Sequence, residues 1–182
     1  LRWTRLKTSY LDKFAGELSQ ILKSYQPQLK TARNLYAQVA LNNDAQEWYS
    51  QSLSESIKNY DYTAIMAMPY MEEASNTREF YAKIVSRVKE QECGLEKTVM
   101  ELQTVDWRKG DEPISPNEMA ETIGYLYELG VNHIAYYPDN VFKNNPEAEM
   151  IRKSFTKLLE SYNVKQMTDY TTFNPEYHEA LV

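Results

Sequence analysis

The segment KTVMELQTV, residues 97–105, decides the fold predicted for this chain. It is a short, mostly apolar run of the length that strands have. Because successive side chains of a strand point to opposite faces, Met100 and Leu102 share one face, and Glu101 and Gln103 share the other. We expect helices to cover the face with Met100 and Leu102. Glu101 and Gln103 are then expected to point into a barrel interior or toward a ligand.

Three similar segments accompany it, at TARNLYAQV (31–39), YTAIMAM (62–68) and NHIAYY (132–137). The four predicted strands start 31, 35 and 35 residues apart, and each interval contains one helix pattern. Parallel strands need such a crossover helix, so the pattern predicts four βα units. Four successive units form either a small open doubly wound sheet or half of an eight-stranded βα barrel. In both folds the functional face lies at the carboxyl ends of the strands.

The helix patterns have apolar residues three or four positions apart. The first pattern precedes the strands, with apolar positions at Leu6, Tyr10, Phe14, Leu18, Leu22 and Tyr25. The second is expected to begin at Asp44 as its N-cap, with Trp48, Leu53 and Ile57 on its apolar side. We expect Gly94 to cap the carboxyl end of the third helix.

The fourth and fifth helices have clear starting signals. Ser115, Pro116 and Glu118 form the pattern of an N-cap, a first-turn proline and a capping box. The last helix is expected to begin after Asn145-Pro146 and to continue through Tyr162. No clear period follows from about residue 164 onward.

Composition and charge exclude several classes of function. With 20 Lys+Arg against 26 Asp+Glu, the net charge of −6 argues against nucleic acid as the partner. The single cysteine, Cys93, excludes a disulfide framework and a cysteine-rich zinc site. His133 and His178 have no metal-ligand partners at suitable spacing, and no glycine-rich phosphate loop occurs, so we expect neither metal nor cofactor. The chain begins at Leu1 without an initiator Met, so we expect it to be processed, excised or partly observed.

Each predicted strand end carries an aromatic residue, and three of the four also carry a carboxylate. The chain contains 15 Tyr and 3 Trp. Aromatic rings stack on the CH faces of sugars, while acids and amides bind their hydroxyl groups, so these ends favour a sugar site over plain aromatic packing. The candidate binding residues are Arg33, Asn34, Tyr36, Tyr70, Glu72, Gln103, Asp106, Trp107, Tyr136 and Tyr137.

Two carboxylates at these ends are candidate catalytic residues. Glu101 lies within an apolar strand, where a charge needs a partner, so it either belongs to the site or pairs with a residue such as Arg33. Asp139 follows the fourth strand directly and is interpreted as functional. Asp106 is expected either to bind ligand or merely to cap a turn.

Four linked motifs carry a resemblance to a known family. The segments are TARNLYA (31–37), YDYTAIMAMPYME (60–72), ELQTVDWR (101–108) and YYPDN (136–140). In this order they resemble the C-terminal domain of the PgaB-type poly-β-1,6-N-acetylglucosamine N-deacetylases. These are periplasmic, outer-membrane-associated proteins of biofilm export systems. The resemblance implies a (β/α) barrel of the TIM type, in which residues 1–182 form roughly the last four βα units of one glycoside hydrolase domain.

The resemblance also implies an activity and its partners. The domain would bind and hydrolyse partially deacetylated poly-β-1,6-N-acetyl-D-glucosamine, with Glu101 and Asp139 assisting a principal acid in the missing first half. Nothing here resembles the metal-binding residues of the deacetylase domain, so no deacetylation is expected. The expected partners are the polymer, an outer-membrane exporter, and either the first half of the barrel or a second copy of this chain.

Two other classes of function are also compatible with the sequence. One is a non-catalytic polysaccharide-binding module that guides the polymer to the exporter. The other is an open-sheet α/β domain with an unrelated small-molecule ligand. The aromatic strand ends serve a hydrolase and a binding module equally well, so only turnover separates those two.

Overall fold

The computed structural model describes residues 2–161, which form an α/β fold around a four-stranded parallel sheet. Its strands are β1 (Ala32–Tyr36), β2 (Tyr62–Ala67), β3 (Thr98–Gln103) and β6 (His133–Tyr137). A separate two-stranded ribbon pairs β4 (Val105–Asp106) with β5 (Glu112–Pro113). The helices are α1 (Arg2–Tyr25), α2 (Ala37–Leu41), α3 (Ala45–Tyr49), α4 (Leu53–Asn59), α5 (Thr77–Lys89), α6 (Gly94–Lys97), α7 (Pro116–Glu128) and α8 (Ala148–Ser161).

The sheet is wound in one direction. Its order, β1-β2-β3-β6, is the order of the strands along the chain, and every neighbouring pair is parallel. A doubly wound sheet reverses its strand order at a switch point, and this sheet has no such reversal. Within residues 2–161 the sheet stays open, because β1 and β6 each pair with one strand only.

One face of the sheet holds the core. Leu35, Ile65, Met100 and Leu102 are almost fully buried there and share one apolar cluster with helix residues such as Ile84. Burying each such side chain contributes about 1.5–3 kcal/mol. The expectation that helices cover Met100 and Leu102 is therefore confirmed.

Helix α1 presents its apolar side to solvent. Of its residues only Asp12 is buried, and the face that contacts the rest of the fold is polar and small. The exposed apolar positions are Trp3, Leu6, Tyr10, Leu11, Phe14, Leu18, Ile21, Leu22 and Tyr25. The predicted amphipathic helix is confirmed, and its apolar face has no cover among the described residues.

The segment after β1 differs from the prediction. Residues 37–41 form α2 instead of continuing the strand, and at the end of β1 the Gln51 side chain accepts the Tyr36 N–H and donates to the Asn34 carbonyl. The predicted second helix is two helices, separated at Ser50, whose φ is +52°. Trp48 is 87% exposed, so its predicted place on an apolar side is wrong.

Two predicted caps differ from the structure. Asp44 occupies the N-cap position of α3, but its side chain makes no capping bond, whereas Ser52 accepts the Glu55 N–H at the start of α4. Gly94 begins α6 instead of ending α5; a Cβ there would lie 1.9 Å from the Val88 carbonyl oxygen, which explains the glycine.

Helices α7 and α8 begin close to their predicted starts. The Glu118 N–H donates to Ser115 Oγ over 3.2 Å, and Pro116 is the first residue of α7. The predicted end of α8 at Tyr162 lies outside the described residues. No helix within residues 2–161 combines the length and apolarity that crossing a membrane requires.

Candidate functional site at the strand ends

The face of the sheet opposite the core is only partly covered, and we call it the open face. Strand register aligns Tyr36, Met66, Glu101 and Ala135 in one row across it. Tyr36 is exposed and the other three are half-buried. Polar and aromatic side chains near the carboxyl ends of the strands are therefore accessible from this side.

Glu101 lies in the middle of the open face. Its Oε2 accepts a hydrogen bond of 3.4 Å from Asn34 Nδ2, across the intervening strand β2. Burial raises the pKa of the Glu101 carboxyl, and the Asn34 hydrogen bond only partly opposes this effect. Such a carboxyl holds its proton to higher pH than usual, as groups that donate protons in enzymes do.

Arg33 lies on the other face of β1. It alternates with Asn34, and its Nε is buried without a hydrogen-bond partner. The Arg33 charge lowers the pKa of Asp12 in α1, although burial raises that pKa more strongly. The suggested ion pair between Glu101 and Arg33 is therefore absent, and Arg33 does not contribute to the open face.

Gln103 is a structural anchor of the site. It is 2% exposed, and its Oε1 accepts the N–H groups of Tyr70, at 2.8 Å, and Met71, at 3.3 Å. Its Nε2 donates to the Val105 carbonyl over 2.8 Å. With both ends of its amide bonded to backbone groups, the buried Gln103 fixes the loop after β2.

Tyr70 belongs to the same anchoring cluster. Its hydroxyl donates to the Glu118 carboxylate, so that carboxylate does not complete the predicted capping box with the Ser115 N–H. Burial is the largest cause, and the hydrogen bond to Glu118 the next, of a rise in the pKa of Tyr70 to about 12. The Arg108 guanidinium lies 4.6 Å from the centre of the Tyr70 ring.

Asp106 acts as a cap and an ion-pair partner. Its two carboxylate oxygens accept bonds of 2.9 and 2.8 Å from the Arg108 side chain, and Oδ1 also accepts the Arg108 N–H. The Arg108 hydrogen bond holds the pKa of Asp106 below its usual value. Of the two expectations for Asp106, the turn cap is confirmed, and the turn that it caps carries Trp107.

Two pairs of aromatic rings stand at opposite sides of the sheet. Trp107, after β3, and Tyr137, at the end of β6, have ring centres 6.5 Å apart. Tyr36, at the end of β1, stacks on Tyr49 with ring centres 4.3 Å apart. Sequence reasoning missed Tyr49, for which the adjacent Trp48-Tyr49 doublet after the first strand was the available signal.

The remaining candidates are scattered. Tyr136 and Asp139 are exposed at and after the end of β6, and the described residues form no ion pair with Asp139. Glu72 accepts a 2.7 Å hydrogen bond from Gln38 and lines a cavity of about 540 Å³ between α2 and α5. Glu72 therefore lies among the helices, outside the open face. Within residues 2–161 no cluster of His, Cys, Asp and Glu is suited to hold a metal ion.

Comparison with known proteins identifies the family. The model of hypothetical glycosyl hydrolase family 13 matches residues 1–137. The poly-beta-1,6-N-acetyl-D-glucosamine N-deacetylases of Escherichia coli K12 and O157:H7 are each 34% identical over 160 residues. These matches cover 85% of this chain, which spans about a quarter of each relative, 24% of its length.

A solved structure agrees with the same relationship. The PgaB (BpsB) glycoside hydrolase domain from Bordetella bronchiseptica superposes with a TM-score of 0.78 and 39% sequence identity. The match covers 84% of this chain and 43% of that one. The chain therefore belongs to hypothetical glycosyl hydrolase family 13 and is a homologue of the PgaB glycoside hydrolase domain.

Proposed function

We propose that these four βα units are the second half of a (β/α)8 barrel. Three observations support this architecture: the sheet is wound in one direction, β1 and β6 have no second strand partner within residues 2–161, and the apolar side of α1 is exposed. The chain also matches 43% of a glycoside hydrolase domain. The preceding βα units would pair with β1, cover α1 and close the barrel over the open face.

The proposed substrate is partially deacetylated poly-β-1,6-N-acetyl-D-glucosamine. Each deacetylated unit carries an ammonium group, which the acidic chain, with a net charge of −6, would attract. Trp107, Tyr137 and Tyr36 offer rings on which sugar faces stack. Asn34 and Asp139 offer an amide and a carboxylate for hydroxyl and ammonium groups.

The proposed reaction is hydrolysis of the glycosidic bond by the completed barrel. Such hydrolysis commonly needs an acid that protonates the leaving oxygen, with a second carboxylate or a group of the substrate assisting. We assign the principal acid to the missing half. Glu101, whose pKa is raised by burial, would donate a hydrogen bond or a proton to the sugar, and Asp139 would bind and orient the chain.

A single observation carries this proposal. The half-buried carboxyl of Glu101 lies on the open face between two aromatic pairs, and among residues 2–161 its hydrogen-bond partner is the amide of Asn34. A purely structural carboxylate would be expected to pair with a cation, as Asp106 does with Arg108. Following the family resemblance, we assign the protein to the periplasm, at the outer membrane, where an exporter would receive the polymer.

Calorimetric titration tests the binding part of the proposal. We expect the chain to bind partially deacetylated oligosaccharides more tightly than fully acetylated ones of equal length. Asp139→Asn should reduce this preference about threefold at low salt and not at high salt, as expected for one exposed charge. Glu121→Gln, which removes an exposed carboxylate from α7, is the control and should change nothing. Equal or undetectable binding of both sugars would overturn the proposal.

A further inference from the structure

The stacked pair Tyr36 and Tyr49 is unlike the packing of the core. Both rings keep nearly two-fifths of their surface exposed, at 38% and 39%. The backbone that carries Tyr36 is fixed by Gln51, whose side chain accepts the Tyr36 N–H and donates to the Asn34 carbonyl. Two aligned rings with exposed outer surface form a platform, which we call the β1 platform.

The β1 platform lies far from the other aromatic pair. Tyr36 is at the end of β1, whereas Tyr137 is at the end of β6 and its neighbour Trp107 follows β4. Strands in a sheet are about 4.8 Å apart, so three strand spacings put β1 and β6 roughly 14 Å apart. Glu101, on β3, lies between these two strands, and its partner Asn34 lies on β1 itself. We call the Trp107–Tyr137 pair the β6 platform, and a single sugar ring cannot reach both platforms.

We infer that Tyr49 and Tyr36 form a distal sugar-stacking subsite, so that one polysaccharide chain lies across the strand ends and occupies both platforms. This inference rests on the proposed function and adds to it a direction and a minimum length for the bound chain. The chain runs across the strands from β1 toward β6, passing Asn34 and Glu101. Oligosaccharides too short to span the strand ends occupy one platform only.

We expect the affinity to depend on the length of the oligosaccharide. Short oligosaccharides that bind beside Trp107 do not touch Tyr49, whereas long ones do. Tyr49→Ala should therefore weaken the binding of long oligosaccharides about three- to tenfold, the scale of one aromatic contact, and leave short ones unchanged. Tyr49→Phe keeps the ring and should retain full affinity.

The experiment titrates the full chain with partially deacetylated oligosaccharides of increasing length. Tyr25→Ala is the matched control, since Tyr25 is an exposed tyrosine at the end of α1. This end of α1 lies near the start of β2, where Lys23 contacts Asp61, and therefore away from the carboxyl ends of the strands. Thermal unfolding checks that each variant is folded. Equal affinity of Tyr49→Ala and wild type at every length would overturn the distal subsite while leaving the proposed function intact. Absence of binding by the wild type would overturn both.

Discussion

Asn34 and Glu101 meet across the whole width of β2, with the amide Nδ2 3.4 Å from the carboxylate Oε2. The contact joins the edge strand β1 to β3 on the open face, 67 positions apart in the sequence. An amide neutralises none of the charge of the carboxylate. Glu101 is therefore left half-buried with an incompletely compensated charge, which is the physical origin of its raised pKa.

The raised pKa of Glu101 predicts how stability changes with pH. The folded state binds this proton more tightly than the unfolded chain, whose Glu pKa is about 4.3. The stabilising contribution is present below that pH and is lost as pH rises through the folded-state pKa. Glu101→Gln removes the titration, so its melting temperature relative to wild type should be higher at pH 7 than at pH 4.

The control for this prediction is Glu121→Gln, which removes an exposed carboxylate on α7. Its melting temperature relative to wild type should hardly depend on pH. If Glu101→Gln behaves in the same way as Glu121→Gln, Glu101 is better solvated than its position on the open face indicates.

Gln103 is expected to matter for stability more than for contact with a ligand. Gln103→Leu leaves the N–H groups of Tyr70 and Met71 and the carbonyl of Val105 without their partner. We expect the free energy of unfolding to fall by about 3 kcal/mol, measured by urea denaturation. Gln28→Leu, at an exposed position, should change it by less than about 0.5 kcal/mol. A near-neutral Gln103→Leu would contradict the anchoring role.

Asp61 ties the end of α1 to the starts of two strands. Its Oδ2 accepts from Lys23 Nζ at 2.5 Å and from the Thr31 N–H at 2.9 Å, and these bonds hold its pKa far below the usual range. A depressed pKa stabilises the fold above the unfolded pKa of about 3.9, and the contribution is lost as pH falls below it. Asp61→Asn should lower the melting temperature at pH 7, with the difference from wild type shrinking toward pH 2.

Asp44→Asn is the matched control, because the exposed Asp44 side chain makes no capping bond. It should melt close to wild type at both pH values. A constant difference between Asp61→Asn and wild type from pH 7 to pH 2 would mean that the Asp61 charge does not stabilise the fold.

A substitution on the exposed apolar side of α1 tests the proposal that this chain is half of a barrel. Leu18 is 47% exposed, so Leu18→Lys should change the unfolding free energy of the chain by no more than about 0.5 kcal/mol. It should, however, weaken assembly with the first half of the Bordetella bronchiseptica domain, measured by sedimentation. Gln20→Lys, on the polar side of α1, should assemble normally. Two results would contradict the first half as the proposed partner. In one, Leu18→Lys assembles with it as wild type does. In the other, wild type forms a dimer with itself and Leu18→Lys loses that dimer.

The sheet was predictable because its signals are local. Four short apolar runs separated by helix patterns predict parallel strands. Alternation in β3 then predicts that Glu101 lies on the face of the sheet that points away from the helices. The same alternation places Arg33 and Asn34 on opposite faces of β1, so only Asn34 lies on the open face. The division between α3 and α4 could not be predicted from local signals, because Ser50 takes a left-handed conformation in a segment that tertiary contacts fix.

The site was only partly predictable, since its polar residues differ in the partners that the fold supplies. Glu101 and Gln103 have the same parity in β3, yet only Gln103 is covered by the loop after β2. Asp106 forms an ion pair with Arg108, two positions later in the sequence. No spacing rule distinguishes a carboxylate in such a pair from one that is free to bind a ligand. Tyr49 reaches Tyr36 through a turn whose geometry depends on Gln51.

The proposed half-barrel hydrolase is tested most directly by mass spectrometry of partially deacetylated poly-β-1,6-N-acetylglucosamine after incubation with this chain, alone and together with the first half of the Bordetella bronchiseptica domain. We expect intact polymer with the chain alone and shortened oligosaccharides when both halves are present. Glu101→Gln in the assembled pair should slow cleavage by about 10²-fold, the scale of an assisting acid or base. Cleavage by the chain alone would contradict the assignment of the principal acid to the first half. Intact polymer that remains bound to the assembled pair would contradict the hydrolase and leave a binding module.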